Sequence, residues 1–233
     1  MEASRDTGVV DTGEIEVAGR PASWRLDGSV RQYPVVILAH GAGAPYTHAF
    51  LSRLTAELTA RQLAVVRFHF PYMEQRVRAG TRRPPDAPRV LLATWEAMLD
   101  LVSGWSPPGP VVVAGKSMGG RIASMLLAEG RGGAAAGAIY FGYPLHPAGK
   151  PDRLRIAHLP GVTVPQLFVS GTRDPLCDLD RLRPVIAPLP RAELFVVDGG
   201  DHSLSCGRRA PWDSAAAWLD RAAEFARTPE VGP

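Results

Sequence analysis

The feature that most restricts the fold of this chain is a series of short, β-branched apolar runs, each closed by a turn. They are 35–39 (VVILA), 63–68 (LAVVRF), 111–114 (VVVA), 138–141 (AIYF), 166–169 (QLFV) and 193–197 (ELFVV). Near-continuous apolar runs of this length suit strands buried on both faces. Helical patterns lie between several of them. Phe50, Leu51, Leu54 and Leu58 share one helical face, as do Leu91, Trp95, Met98, Leu99 and Val102, and again Trp218, Leu219, Ala222 and Phe225. Strands that alternate with helices build a mostly parallel sheet covered on both sides. The polar, alternating stretch 13–27 reads as a hairpin at the sheet edge, and about eight strands are expected in all.

No repeat, low-complexity linker or shift in composition divides the 233 residues. The chain is read as one α/β domain over 1–233, with flexible ends at 1–12 and 228–233. An apolar content of 45% and a charged content of 21% fit a globular domain and exclude a disordered one. No apolar run approaches the ~20 residues that span a bilayer. The start lacks a basic-then-apolar export pattern. The expected compartment is therefore the cytoplasm, without membrane association. Two cysteines, Cys177 and Cys206, make neither a disulfide framework nor a metal motif, and free thiols are expected. A net charge of +3 is too small at this length to argue for nucleic acid. Nothing in the sequence indicates an oligomeric state.

In sheets of this kind ligands gather at the carboxyl ends of the strands, so the segments that follow the runs should hold the chemistry. After 111–114 comes Gly115-Lys116-Ser117-Met118-Gly119-Gly120, and 122–128 is helical in pattern. G-x-S-x-G between a strand and a helix is the nucleophile elbow. Small flanking residues permit a tight, strained turn that presents the serine hydroxyl. Ser117 is the expected nucleophile.

A serine needs a base, and the base needs an orienting acid. His202, directly after the last strand, is the expected base. His40 is read as shaping a loop, and His48, His69, His146 and His158 as ordinary polar residues. Asp174, after the run 166–169, fits the chain order serine, acid, histidine. Its rivals are Asp178 and Asp180, which look like helix starts, and Asp198 and Asp201. Met118 should supply one oxyanion donor from its backbone N–H. The second is assigned to Ala42 in the loop His40-Gly41-Ala42-Gly43-Ala44-Pro45, with Gly43 and Ala44 as close rivals and a plain Gly-rich turn as the simpler reading.

The ordered set His40-Gly41-Ala42-Gly43, Phe70-Pro71-Tyr72-Met73, Gly115 to Gly120, Gly142-Tyr143-Pro144-Leu145-His146-Pro147, Gly171-Thr172-Arg173-Asp174-Pro175 and Gly200-Asp201-His202-Ser203 resembles one group of small hydrolases. This is the dienelactone-hydrolase-like group related to subunit three of the eukaryotic NSL complex and to a testis-expressed protein. The resemblance spans 40–203. It implies an α/β-hydrolase fold and a Ser–His–Asp triad at Ser117, His202 and Asp174. Dienelactone hydrolases proper carry a cysteine nucleophile, where this chain has Ser117.

The expected function is thus a serine hydrolase that cleaves an ester, thioester or lactone of a small molecule through an acyl-enzyme, without cofactor or metal. The alternative is a non-catalytic protein-interaction module on the same fold. Two long connections, 71–88 and 143–160, border the site and are too short for a large lid domain. With the segment after His202 they carry Arg76, Arg78, Arg82, Arg83, Lys150, Arg153, Arg155, Arg208 and Arg209 against Glu74, Asp86 and Asp152. This is either a solvated basic surface or a rim that attracts anionic substrates. Tyr46, Tyr72, Met73 and Tyr143 are the expected substrate-binding lining, with Met118 beside them. Lys116 would be satisfied by a carboxylate under the turn, which the sequence does not identify.

Overall fold

The protein is described as a computed structural model covering residues 10–207, 212 and 215–231; Arg208 and Arg209 lie outside the described residues. In chain order the elements are β1 (Val10–Val17), β2 (Arg20–Asp27), β3 (Val35–Ala39), α1 (Ala49–Ala60), β4 (Ala64–Phe68), α2 (Pro71–Ala79), α3 (Pro88–Gly104), β5 (Val111–Lys116), α4 (Met118–Ala128), β6 (Ala135–Phe141), β7 (Gln166–Gly171), α5 (Leu179–Ile186), β8 (Ala192–Val197) and α6 (Ala216–Arg227). A 3₁₀ turn at Leu159–Gly161 precedes β7.

The strands form one sheet in the order β1-β2-β4-β3-β5-β6-β7-β8. From β4 to β8 every pairing is parallel. The hairpin β1–β2 is antiparallel and joins β4 antiparallel at one edge. The expected edge hairpin is present, beginning at Val10 rather than Gly13. Residues 10–12 belong to β1, and at the other terminus Val231 packs against the core.

Period-two alternation divides the central strands between two apolar layers. Val35, Ile37, Val113 and Tyr140 face Trp95, Met98, Ile122 and Leu126 on α3 and α4. Val36, Leu38, Val112 and Phe141 face Leu51, Leu54, Trp218 and Phe225 on α1 and α6. Side chains that alternate along fully buried strands must find apolar partners on both faces, which is why these strands read as continuous apolar runs.

Charge fastens the antiparallel edge. Arg67 on β4 is buried; it donates to Asp27 of β2 at 2.7 Å and to the Tyr46 carbonyl at 3.1 Å. The paired guanidinium groups of Arg25 and Arg67 outweigh burial and hold the Asp27 carboxyl below its ordinary range. The long connection 71–88 is partly helical, because Pro71 occupies the first turn of α2, where a missing N–H costs nothing.

Candidate active site

The site is assembled at the carboxyl end of β5. Ser117 adopts φ 52° and ψ −117°, a conformation L-residues rarely take. Its neighbours are small for steric reasons. A Cβ on Gly115 would lie 2.1 Å from the Gly120 nitrogen, and one on Gly119 would lie 2.7 Å from the His40 carbonyl oxygen. The Ser117 N–H donates to the Phe141 carbonyl at 3.1 Å, which extends the β5–β6 ladder by one residue and anchors the strained turn. Its hydroxyl makes no capping bond to α4, although Ser117 occupies the N-cap position.

The hydroxyl is engaged elsewhere. Ser117 Oγ lies 2.9 Å from His202 Nε2, and His202 Nδ1 lies 2.8 and 2.9 Å from the two Asp174 oxygens. The carboxylate accepts only, so Nδ1 carries the proton and Nε2 is left to accept from the serine. The Asp174 side chain is fully buried, whereas that of His202 is 24% exposed, so the imidazole is reachable from the cleft. Asp174 Oδ1 also accepts the Leu176 N–H at 2.8 Å, which fixes the carboxylate plane.

The loops after β7 and β8 are stitched together to make this meeting. A Cβ on Gly171 would collide with the Gly200 oxygen at 2.1 Å, so the two backbones touch. The Arg173 N–H donates to that oxygen at 2.8 Å, and Thr172 Oγ1 accepts from the Gly199 N–H at 2.8 Å. The rival acids have other partners. Asp178 caps α5 through the Asp180 N–H, Asp201 accepts from the Ser203 and Ser205 N–H groups, and Asp198 accepts from Thr172 Oγ1 at 3.4 Å.

The loop after β3 is held by its carbonyls. His40 is buried and accepts the Phe70 N–H at Nε2, so its Nδ1–H donates to the Gly41 oxygen at 2.7 Å. Burial pushes the imidazole down to about 3, which keeps it neutral. Tyr72 Oη donates to the Ala42 oxygen at 3.0 Å. In a trans peptide the N–H points away from the C=O. Two successive carbonyls tied back to the core therefore turn the N–H groups of Ala42 and Gly43 outward. Ala42 and its rival Gly43 both border the cleft.

The expected aromatic lining is corrected. Tyr72, Met73 and Tyr143 are buried. Tyr72 is occupied with Ala42, Tyr143 Oη donates to the Arg155 carbonyl at 3.0 Å, and Met73 belongs to the core. Tyr46 lies against the His69 ring at 4.1 Å and beneath the Arg67 guanidinium. The reason is that α2 begins at Pro71, so its first turn rotates Tyr72 and Met73 inward. A cleft of about 250 Å³ beside Ser117 and His202 is lined instead by Ala42, Ala44, His48, Phe50, Leu51 and Lys116, among others. Phe50 and Leu51 are the lining that sequence reasoning assigned only to a helix face. The N-terminal position of that helix, directly after a strand-end loop, was the available signal.

Among the described residues no carboxylate lies within hydrogen-bond distance of Lys116. Its Nζ is buried without a hydrogen bond, and the Phe50 ring centroid is 6.0 Å away. A Cβ on Gly142 would come within 3.2 Å of Nζ and 3.4 Å of His202 Nδ1, so the amine and the imidazole sit over the same glycine. Burial pushes the ammonium down to about 8 against the opposing fields of Asp174 and Asp201. Both cysteines are free thiols, Cys177 buried and Cys206 partly so.

A mostly parallel sheet with helices on both faces, carrying a strained serine turn between its β5 strand and the next helix, defines the α/β-hydrolase class. Residues 32–229 match the family model described as an alpha/beta hydrolase domain, and the chain belongs to that family. Among solved structures it is similar to a dienelactone hydrolase from Anabaena variabilis, at 19% identity over 94% of this chain and 96% of that one, with a TM-score of 0.73. It is also similar to an esterase from Pyrococcus furiosus, at 17% identity over 97% and 94%, with a TM-score of 0.74. A third is an alpha-beta serine hydrolase homologue from Coxiella burnetii, at 17% identity over 94% and 96%, with a TM-score of 0.67.

Proposed function

We propose that the protein is a serine hydrolase that cleaves an ester, thioester or lactone, with Ser117 as nucleophile, His202 as general base and acid, and Asp174 as the orienting acid. The observation that carries the reading is the unbroken chain from Ser117 Oγ through the His202 imidazole to the buried Asp174 carboxylate. In this mechanism Nε2 takes the hydroxyl proton as Oγ attacks the acyl carbon. Asp174 stabilises the imidazolium, and the N–H groups of Ala42 and Met118 receive the developing oxyanion. His202 then protonates the departing oxygen or sulfur, and a water activated by the same nitrogen releases the acid. The names borne by the structural neighbours, dienelactone hydrolase and esterase, support ester-type chemistry. The complete side-chain set favours this reading over a non-catalytic interaction module of the kind the resemblance to an NSL complex subunit suggests.

Labelling with a fluorophosphonate probe tests it. Ser117 should be modified in the native protein, and Ser117→Ala should lose both the label and ester turnover, the latter by on the order of 10⁴-fold, with the fold intact. Undiminished turnover in the folded alanine variant would refute the assignment.

A further inference from the structure

Beside α4 a basin of about 740 Å³ is lined by Arg121, Lys150, Arg153 and Arg155 and by one carboxylate, Asp152. Asp152 is exposed and pairs with Arg181 at 3.2 Å, which leaves four cations against one carboxylate in the lining. The side chains of the four cations form no ion pair or hydrogen bond among the described residues, although Arg67, Arg131 and Arg221 elsewhere are all paired with carboxylates. Arg121 Nε is buried without a partner.

The main chain that carries Lys150, Arg153 and Arg155 is ordered by its own hydrogen bonds. The Arg155 N–H donates to the Leu145 carbonyl at 2.8 Å, the Arg153 N–H to the Lys150 carbonyl at 3.1 Å, and the Lys150 N–H to the Pro147 carbonyl at 3.0 Å. Tyr143 Oη grips the Arg155 carbonyl from below. Burial, with Arg121 and Arg153 close by, drags the Arg155 guanidinium below its ordinary value. His158 is pushed down to about 4 by burial and by Arg121, so it stays neutral against Ser124 Oγ at 2.7 Å. Like charges brought side by side repel, and an anion between them converts that repulsion into attraction.

Along the chain the basin adjoins the serine turn. Arg121 follows Ser117 by four residues, and its N–H donates to the Ser117 carbonyl at 3.1 Å. One helical turn, a rise of about 6 Å, separates the two residues. The cleft at Phe50 and Leu51 lies on the α1 side of Ser117, and the basin lies on the α4 side.

We infer that this basin receives a phosphate group carried by the ester substrate, one portion of which fills the cleft while the phosphorylated portion lies over α4. Three guanidinium forks and an ammonium suit a phosphate dianion better than a single carboxylate, because each fork can take two oxygens. The inference rests on the serine-hydrolase reading for its substrate, whereas the anion site is testable without turnover.

Two measurements decide it. The first is calorimetric titration of inorganic pyrophosphate into Ser117→Ala, alone and combined with Arg121→Gln/Arg155→Gln. Binding that weakens about tenfold or more with the glutamines, and again as salt is raised, is expected. Binding that is absent, or indifferent to the glutamines, overturns the site. The second is kcat/KM for matched esters that differ only in a phosphate, a carboxylate or a neutral group. The phosphorylated ester should lead by about tenfold at low salt. That ratio should collapse in Arg121→Gln/Arg155→Gln and persist in Arg82→Gln/Arg83→Gln. An equal preference for the carboxylate overturns the phosphate assignment, and an unchanged ratio overturns the link to substrate. No turnover of any ester, with Ser117 unlabelled, overturns the hydrolase reading and this substrate with it, while pyrophosphate binding still decides the basin.

Discussion

Lys116 is the side chain in the site whose chemistry is least settled by its neighbours. A buried ammonium without a hydrogen bond costs stability for as long as it stays charged. Its folded-state value of about 8 lies below its ordinary 10.5. Below pH 8 both folded and unfolded chains hold the proton, and the fold carries the whole cost. Between pH 8 and 10.5 the folded protein has released a proton that the unfolded chain keeps, so stability rises with pH across that window. The shift corresponds to about 3 kcal/mol. Lys116→Met keeps the stem and removes the charge. It should therefore be more stable than the parent at pH 7, by an amount that shrinks by about 3 kcal/mol as pH approaches 10.5. Urea unfolding of the two proteins at several pH values measures this, and a difference that does not change with pH would refute it.

At the level of elements, the elbow depends on two kinds of glycine that look alike in the sequence. At Gly115 the missing side chain is replaced by backbone, since the α4 amide of Gly120 occupies the space a Cβ would need, 2.1 Å away. Backbone cannot yield as a flexible side chain can. Gly115→Ala should push the helix start off the strand, cost about 3 kcal/mol, and abolish fluorophosphonate labelling even in the fraction that folds. At Gly41 a Cβ would meet nothing closer than 3.5 Å. Gly41→Ala should stay within about 1 kcal/mol of the parent. Thermal unfolding and labelling measured side by side separate the two cases, and equal effects at the two positions would mean that the close approach of β5 to α4 is not what the elbow requires. The loops after β7 and β8 obey the same logic, since Gly171 and Gly200 are in backbone contact where Asp174 must meet His202.

Across the whole molecule, the two thiols report on different depths. Cys177 lies in the core layer beneath β7, and burial pushes its thiol up to about 12. Cys206 is partly exposed on the loop beyond His202, donating to the Asp198 carbonyl at 3.2 Å. Because the thiolate is the reactive form, the native protein should show one fast thiol. The second should appear only as the sheet unfolds, with the same denaturant midpoint as the loss of circular dichroism. Two fast thiols in the native state would contradict the burial of Cys177.

Much of this molecule is legible in its sequence. The central strands, the helices on which Leu54, Trp95 and Trp218 lie, and the edge hairpin follow from periodicity, which is a property of contiguous residues. The Ser117 turn follows from a steric motif that is equally local, and the proposal of Asp174 and His202 as its partners from the chain order serine, acid, histidine. Other features had no local signature. Tyr72 and Met73 read as cleft residues because they follow a strand, yet the helix that begins at Pro71 turns them into the core, where Tyr72 holds the Ala42 carbonyl. Lys116 is expected to meet a carboxylate, yet among the described residues none comes within hydrogen-bond distance, and Asp174 and Asp201 act on it only from farther off. Arg121 had no signal in the sequence, and only the fold lays the segment from Lys150 to Arg155 beside it. By itself the sequence determined the class of fold and the strand ends from which the proposed triad is drawn, because both are written in short-range spacing. Only the tertiary structure decided which side chains face the cleft and which cations share a basin, because both depend on the rotation and juxtaposition of segments distant in the chain.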